Sequence, residues 1–236
     1  MSAGADPVVA AVVPAAGRGE RLGAGTAKAL QLLGGEPMLC HSVRTLAASA
    51  VSLVVVAAPV GQVGEVEALL AGAHTGADLL VVDGGATRSE SVRCALAVLP
   101  PSVQVVLVHD AARPLVPAGL VDVVVAAVEA GAEAVVPGLP VADTVKQVDR
   151  HEEVVATVDR RLLRAVQTPQ GFRREVLDLA YGHPERGEAT DDAGHVERHG
   201  GEVLVVPGAD EAFKVTRPLD LLLAEAVLAR RETDRG

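Results

Sequence analysis

A glycine-rich loop that carries three cations is the segment of the chain best suited to binding phosphate. The loop spans residues 14–28 and directly follows the apolar residues 8–13. Its glycines allow tight turns and a close approach of the backbone to a ligand, while Arg18, Arg21 and Lys28 supply positive charge. A nucleotide triphosphate is the simplest ligand that meets both conditions. Taken alone, the same residues are also consistent with a glycine turn whose cations are solvated.

This loop differs from two common nucleotide-binding motifs. It lacks the Gly-Lys-Ser/Thr ending of a Walker A motif, and Gly17, Gly19 and Gly23 place the third glycine one position too late for GxGxxG. The second predicted strand is followed by an Ala-Pro pair at residues 58–59, where a dinucleotide-binding domain has an acidic residue for the ribose. The sequence therefore argues against dinucleotide binding.

A carboxylate at a predicted strand end is the second candidate for chemistry. Asp110 follows an apolar run and His109. A carboxylate in this place can bind Mg2+ or accept hydrogen bonds from substrate hydroxyls, and it can also simply cap the loop at residues 111–114. His109 is interpreted as a packed histidine without a chemical role. Three further candidates, taken one at a time, are explained as surface charges or a helix cap: Arg160, Lys214 and Thr190.

Short Val-rich runs alternate with stretches of helical length, which predicts an α/β fold with a mostly parallel sheet covered by helices. Apolar residues make up 49% of the chain, with two Phe, one Tyr and no Trp, so Val, Leu and Ala must form the core. We predict strands near residues 8–13, 51–57, 79–82, 103–108 and 134–137, and helices at residues 37–49, 64–71, 88–99, 117–130 and from 218. The apolar stripe of the last helix is predicted to be Leu219, Leu222, Leu223, Ala226 and Val227. Because ligands bind outside the carboxyl ends of parallel strands, the loop and Asp110 should share one edge of the sheet.

A charged hairpin interrupts this alternation. Residues 141–160 are predicted to form two strands around a turn at residues 149–153. An isolated hairpin is not stable in water, so it must pack on something. From these residues alone, it either folds back on its own domain or projects onto a second subunit. We expect residues 1–236 to form a single domain, with the arm at about 138–160.

Charge and cysteine content exclude several classes of function. The formal net charge is -10 and the isoelectric point is near 5.1, which disfavours nucleic acid or an anionic membrane as a partner. Residues 1–7 carry no basic segment and the apolar run after them is short, so we expect neither a signal peptide nor a membrane span, and a cytoplasmic protein. Cys40 and Cys94 lack the spacing of a zinc site and are expected to be reduced thiols.

Taken together, these stretches resemble the 2-C-methyl-D-erythritol 4-phosphate cytidylyltransferases, the CTP-using enzymes of the non-mevalonate isoprenoid pathway. The similarity runs in family order from residue 8 to about residue 228. It implies a Rossmann-like three-layer nucleotidyltransferase fold with a projecting β-hairpin arm. The matching segments are residues 13–17 with Gly19, Arg21 and Lys28; 83–85 with Arg88 and 91–92; 108–114; 143–146; 157–160; 167–170; 190–191; and 214–218 with 220–221.

The resemblance also implies a role for each matching residue. The implied catalytic residues are Arg21 and Lys28 on the triphosphate side, and Arg160 and Lys214 on the side of methylerythritol phosphate. The implied nucleotide-binding residues are Ala15, Ala16, Gly17, Gly19, Gly85 and Ser91. The implied substrate-binding residues are Asp110, Arg113, Thr144, Thr168 and Thr190. The family's arm is exchanged within a homodimer, so Thr144 and Arg160 would serve the site of the other subunit.

The implied reaction joins CTP to methylerythritol phosphate and releases pyrophosphate. It needs Mg2+ or another divalent cation, held mainly by phosphate and water rather than by protein ligands, and it gives Asp110 to substrate hydroxyls rather than to the metal. Ala27 and Ala29 depart from the family, which commonly has Pro and Gln there. Arg18 is left to solvent. Two alternatives stay open: a cytidylyltransferase for another polyol phosphate, such as ribitol 5-phosphate, and a non-catalytic nucleotide-binding module.

Overall fold

A computed structural model describes residues 8–17, 28–73, 76–182 and 189–233 of the chain. The strands in these ranges are β1 (Val8–Pro14), β2 (Leu32–Leu33), β3 (Glu36–Pro37), β4 (Leu53–Ala58), β5 (Asp78–Asp83), β6 (Val103–Val108), β7 (Ala134–Pro140), β8 (Val145–Val148), β9 (Val154–Val158), β10 (Arg164–Val166), β11 (Gln170–Arg173) and β12 (Val203–Pro207). The α-helices are α1 (Met38–Ala47), α2 (Val63–Leu70), α3 (Arg88–Leu96), α4 (Ala118–Glu129), α5 (Arg174–Tyr181), α6 (Asp192–Arg198) and α7 (Pro218–Thr233).

The main sheet is built mostly of parallel strands, as predicted. Within the described ranges it has eight strands in the order β10-β7-β11-β6-β1-β4-β5, with β12 paired to β7. The pairs β1–β4, β1–β6, β4–β5 and β7–β12 are parallel, and β11 runs antiparallel between β6 and β7. The carboxyl ends of the parallel strands therefore meet at one edge of the sheet.

Helices cover both faces of this sheet and make the three layers that the family resemblance implies. Along β1, Val9, Ala11 and Val13 pack on one face with α1, α2 and α4. Ala10 and Val12 pack on the other face with α3, α5 and α6. A strand buried on both faces has no polar side, which explains why β1 is a continuous apolar run rather than an alternating one.

Strand β11 is the main element that the sequence did not reveal. Its residues, Gln170–Arg173, include a glycine and two polar side chains, so they lack the Val-rich composition of the other central strands. Gly171 fits there because a Cβ atom would lie 2.5 Å from Cγ1 of Val124 on α4. Close packing of a helix on the sheet thus requires glycine at a position where β propensity favours a branched side chain.

The predicted hairpin is present and stands apart from the main sheet. Strands β8 and β9 form a separate antiparallel pair, with Val145 opposite Val158. The turn between them is closed by a hydrogen bond from the backbone N–H of Asp149 to the carbonyl of Glu153. The base of the hairpin joins the main sheet, where Arg164 of β10 pairs with Pro140 of β7.

The apolar stripe predicted for the last helix is wrong except at Val227. Leu219, Leu222 and Leu223 are 73%, 63% and 52% exposed. Helix α7 instead packs through Leu221, Ala224, Val227 and Leu228 on a small cluster that contains Leu33, Met38 and Val215. The leucine-rich start of this helix offers two apolar faces, and periodicity alone does not say which of them meets the domain. Among the described residues, no helix combines the length and apolar character needed to cross a membrane.

Candidate active site

The two ends of the glycine-rich loop lie side by side at the carboxyl edge of β1. The backbone N–H of Lys28 donates to the carbonyl of Gly17 over 3.1 Å, and the N–H of Ala15 donates to the carbonyl of Ala57 over 2.8 Å. The loop is therefore anchored to β4 on one side and closed at its base. Arg21 and Gly19, which the sequence assigns to the nucleotide, lie outside the described residues.

The start of α3 forms a wall beside this loop. A Cβ atom on Gly84 would lie 2.8 Å from Cβ of Ala16 and 2.9 Å from Oγ of Ser91, so glycine is required for the loop and the helix to meet. The backbone N–H of Gly85 donates to Oγ of Ser91 over 3.1 Å. The structure thus brings together Ala15, Ala16, Gly85 and Ser91, as the nucleotide-binding assignment requires.

The start of α3 is fixed by a capping box. Thr87 accepts a hydrogen bond from the N–H of Glu90, and the Glu90 carboxylate accepts one from the N–H of Thr87, which completes a capping box. The cap fixes the direction in which the helix begins, and the positive end of a helix dipole favours negative charge nearby.

The second half of the site is centred on Asp110, which lies just beyond the end of β6. Its Oδ1 accepts a hydrogen bond from Nε of Arg88 over 3.1 Å, and its Oδ2 accepts one from Nζ of Lys214 over 2.6 Å. Nε of Arg113 lies 4.0 Å from the same Oδ2. A carboxylate held by three cations is ionised and oriented, so it can accept hydrogen bonds from hydroxyl groups with its remaining lone pairs.

The electrostatics of this group follow from its neighbours. Burial acts to raise the pKa of Asp110, but the charges of Arg88 and Lys214 outweigh it and hold that pKa well below its ordinary range. Burial also acts against the charge of Arg88, but the two carboxylates beside it, Asp110 and Asp192, raise its pKa further. Asp110 and Arg88 therefore stay charged across the pH range of interest.

Lys214 reaches the site because the chain returns to the same edge through β12. This strand is parallel to β7, so its carboxyl end points to the edge where β6 also ends. The backbone N–H of Val215 then donates to the carbonyl of Ala112 over 2.8 Å, which places Lys214 beside the loop after Asp110. Two segments 104 residues apart in sequence are joined in this way.

Arg113 and Thr168 form hydrogen bonds with backbone groups of the site. Arg113 donates to the carbonyls of Ala212 over 2.7 Å and Val166 over 3.3 Å. Thr168 is 4% exposed, and its hydroxyl accepts the backbone N–H of Asp110 over 3.0 Å. Their direct contact with substrate stays a prediction.

The remaining assigned residues lie on the arm, at its base and just before α6. Thr144 and Arg160 lie on the arm and at its base, and Arg160 donates to the carbonyl of Ala142. Thr190 is exposed just before α6. Within residues 8–17, 28–73, 76–182 and 189–233, no hydrogen bond or ion pair connects Thr144, Arg160 or Thr190 to Asp110.

Three residues in this region received no role from the sequence. Arg88 binds both Asp110 and Asp192, and the hydroxyl of Tyr181 donates to Asp192 over 2.5 Å. One signal was available, because Arg88 is a cation in the first turn of α3, where the helix dipole disfavours positive charge. A cation at this unfavourable position indicates an acidic partner elsewhere in the fold.

Similarity to known proteins identifies the family of this chain. The family model for IspD, 2-C-methyl-D-erythritol 4-phosphate cytidylyltransferase, matches residues 9–230. The chain belongs to this family. It is similar to the 2-C-methyl-D-erythritol 4-phosphate cytidylyltransferase of Streptomyces coelicolor, with 60% identity over 99% of this chain and 90% of the relative.

Solved structures of the 2-C-methyl-D-erythritol 4-phosphate cytidylyltransferase family show the same fold. The enzyme of that name from Thermus thermophilus has 36% identity and a TM-score of 0.74, over 92% of this chain and 97% of that one. The 4-diphosphocytidyl-2C-methyl-D-erythritol synthase from Anaerococcus prevotii has 25% identity and a TM-score of 0.82, over 94% and 98%. The predictions of a nucleotidyltransferase fold and of a CTP-dependent transferase are thereby confirmed.

A buried histidine under the site makes folding stability depend on pH. His109 is fully buried, its Nδ1 lies 3.1 Å from Oγ1 of Thr168, and its Nε2 has no partner among the described residues. Burial lowers the pKa of His109 to about 4, whereas an unfolded histidine titrates near pH 6.5. Between these values only the unfolded chain takes up the proton, so the free energy of unfolding should fall as pH falls from 6.5 to 4.

Comparison of the wild type with His109→Gln in urea unfolding at several pH values tests this expectation. The wild type should lose stability more steeply than the variant, by about 1 kcal/mol per pH unit in this window. Asp110, whose pKa is depressed, contributes stability that is lost only below about pH 4, so it does not obscure the comparison. Parallel slopes would contradict the assignment of a neutral buried histidine.

Proposed function

We propose that the chain transfers the cytidylyl group of CTP to 2-C-methyl-D-erythritol 4-phosphate at the edge of the sheet where the glycine-rich loop, the start of α3 and Asp110 meet. The products are 4-diphosphocytidyl-2-C-methyl-D-erythritol and pyrophosphate, a step in isoprenoid precursor biosynthesis. One observation carries the proposal: the closed base of the glycine-rich loop, the start of α3 and a cation-held carboxylate lie at one edge of the sheet, and Arg88 joins α3 to that carboxylate. Membership of the family supports it over nearly the whole chain.

The acceptor phosphate can act as nucleophile without a protein base. Its second pKa is about 6, so it is mostly dianionic at pH 7. One of its oxygens attacks the α-phosphorus of CTP, a new P–O bond forms, and the bond to the β-phosphate breaks to release pyrophosphate. The protein must therefore align two anions and offset their mutual repulsion, rather than move a proton.

The cations divide this task between them. Arg21 and Lys28 stabilise the triphosphate, while Ala15, Ala16, Gly17, Gly19, Gly85 and Ser91 hold the nucleotide. Lys214 and Arg160 stabilise the acceptor phosphate, and Asp110 binds hydroxyl groups of the polyol with support from Arg113, Thr144, Thr168 and Thr190. Lys214 donates to Asp110 in the structure, which supports a role for its amine beside the polyol.

A divalent cation such as Mg2+ fits this site only as a companion of the triphosphate. In the part of the chain that the structure describes, no three His, Cys, Asp or Glu side chains are arranged to hold a metal ion. Both oxygens of Asp110 already accept hydrogen bonds from cations. Phosphate oxygens and water are therefore the proposed ligands, and the ion would neutralise charge on the triphosphate.

The exposed apolar side chains of the arm support a homodimer. Val154 and Val155 of β9 are 59% and 57% exposed, and Leu162 at the base of the arm is 83% exposed. Apolar groups of this size on a two-stranded arm need a covering surface. A second copy of the chain would cover them and would bring Thr144 and Arg160 to its own site. Both cysteines are free thiols, which fits a reducing compartment such as the cytoplasm.

Turnover with CTP, Mg2+ and one acceptor at a time tests the function. Release of pyrophosphate should be fast with 2-C-methyl-D-erythritol 4-phosphate and much slower with ribitol 5-phosphate. A preference for ribitol 5-phosphate would assign another polyol to the same chemistry. CTP binding without turnover on either acceptor would indicate a nucleotide-binding module and refute the proposal.

Removal of a cation on the triphosphate side should lower the rate of transfer. Lys28→Ala and Arg21→Ala should each reduce kcat by about 10²- to 10³-fold, because each variant loses one preorganised charge contact in the transition state. Thermal unfolding should stay close to that of the wild type. Arg18→Ala is the matched control from the same loop, and its kcat should change little. Near-normal turnover in Lys28→Ala would show that this lysine does not act on the triphosphate.

An exchanged arm predicts complementation between subunits. Arg160→Ala should raise KM for methylerythritol phosphate more than KM for CTP, since Arg160 acts on the acceptor. A mixed dimer of one Arg160→Ala subunit and one Lys28→Ala subunit should regain one working site, because both defects then fall in the other site. Activity no higher than that of either parent variant would argue that Arg160 serves its own subunit.

A further inference from the structure

A chain of polar groups lies behind Asp110 and ends at α5; Asp192 and Tyr181 are buried, and Arg88 is half-buried. The hydroxyl of Tyr181 donates to Oδ1 of Asp192 over 2.5 Å. Arg88 donates to the two oxygens of Asp192 with Nη1 over 2.9 Å and with Nη2 over 2.6 Å. Its Nε then donates to Oδ1 of Asp110 over 3.1 Å. The contacts run without a gap from Tyr181 to the carboxylate assigned to the substrate.

Stability is a weak explanation for this arrangement. Asp192 is 0% exposed, and a buried carboxylate carries a desolvation cost that ion pairing often does no more than offset. Arg88 also stands in the first turn of a helix, where its charge is unfavourable. Apolar residues could fill the same space at lower cost, so the network points to a requirement of the site.

Geometry indicates what that requirement is. The guanidinium of Arg88 is planar, and bidentate pairing with Asp192 fixes both its position and the direction of Nε. This nitrogen holds one oxygen of Asp110, while Lys214 holds the other. The plane of the Asp110 carboxylate, and hence the direction of its free lone pairs, is thus set from two sides. On the side of Arg88, this hold is anchored to the buried carboxylate of Asp192.

The hydroxyl of Tyr181 holds Asp192 in place and, through it, Arg88. Burial and the charge of Asp192 raise the pKa of Tyr181, so its hydroxyl remains a donor. Its ring packs against His195, with 4.7 Å between the ring centroids, and Phe would preserve this packing. The hydroxyl is therefore the one part of Tyr181 that can be removed without a cavity in the core.

We propose that Tyr181 and Asp192 are positioning residues that act through Arg88 to orient Asp110, and so determine affinity for the polyol phosphate rather than for CTP. The inference rests on the proposed function, because it takes Asp110 to bind the polyol hydroxyls. Neither Tyr181 nor Asp192 touches the substrate in this scheme.

Separate KM values for the two substrates test the proposal. Tyr181→Phe should raise KM for methylerythritol phosphate about three- to tenfold and leave KM for CTP within about twofold. Asp192→Asn should have the same selectivity with a larger effect, because it removes the charge that holds Arg88. Equal changes in both KM values, or a change in melting temperature alone, would show a merely structural role.

A matched control lies one residue from Arg88 in the same interface between α3 and α6. Oγ of Ser89 is 3.3 Å from Nε2 of His195, so Ser89→Ala loosens this interface without touching Arg88 or Asp110. Its KM for the polyol phosphate should equal that of the wild type. A rise as large as that of Tyr181→Phe would overturn the proposal.

A double-mutant cycle shows whether the effect passes through Arg88. In an Arg88→Ala background, Tyr181→Phe should no longer change KM for the polyol phosphate; an effect of undiminished size would refute transmission through Arg88. Asp110→Asn separates this inference from the function on which it rests. If Asp110→Asn raises that KM and Tyr181→Phe does not, only the positioning role fails. If Asp110→Asn leaves it unchanged, the assignment of Asp110 to the polyol fails, and the positioning role with it.

Discussion

The site depends on one buried carboxylate that can stay ionised only because cations from distant parts of the chain surround it. Asp110 is 9% exposed, and isolation of its charge in such a place would be costly. Arg88 comes from the start of α3 and Lys214 from the segment after β12. These groups meet only when the parallel strands share one edge and the chain has returned through β12. Correct folding of the whole sheet is therefore a condition for the charge balance of the site.

The cluster around Asp110 contains more cations than carboxylates, which suits an enzyme whose two substrates are both anions. Arg88, Arg113 and Lys214 face the carboxylates of Asp110 and Asp192, so the cluster keeps an excess of positive charge. The chain as a whole has a formal net charge of -10. Attraction for phosphate is thus local and short in range, and the acidic surface elsewhere gives no reason for polyanions to bind outside the site.

The fold was predictable from sequence where local pattern and tertiary environment agree. Val-rich runs predicted β1, β4 and β6, and the stretch of helical length at residues 88–99 predicted α3. Prediction from local pattern failed where contact with a distant part of the chain determines the local structure. Gly171 lies in β11 because Val124 leaves no room for a Cβ atom there. The leucines of α7 form two apolar faces, and packing on Leu33 and Met38 decides which of them is buried.

The chemistry of the site was predictable only in part, for a related reason. Asp110, Lys28 and Lys214 carry charges at motif positions, so a resemblance identifies them. Tyr181 and Asp192 lie in segments that look like an ordinary helix end and an ordinary helix start. Their importance comes from contacts across 104 and 11 residues of sequence. No local pattern encodes a partner at such distances.

The base of the arm has a consequence for how this protein can diversify. Residues 138–140 of β7 pair with residues 164–166 of β10, so the chain leaves the main sheet and re-enters it at the same place. The residues between these two segments leave the main sheet and return to it where β7 and β10 pair. The length and tip of the arm can therefore change by insertion or deletion while the register of the main sheet is preserved. The arm can thus become longer or shorter in evolution, and extend a different distance, while the catalytic core stays unchanged.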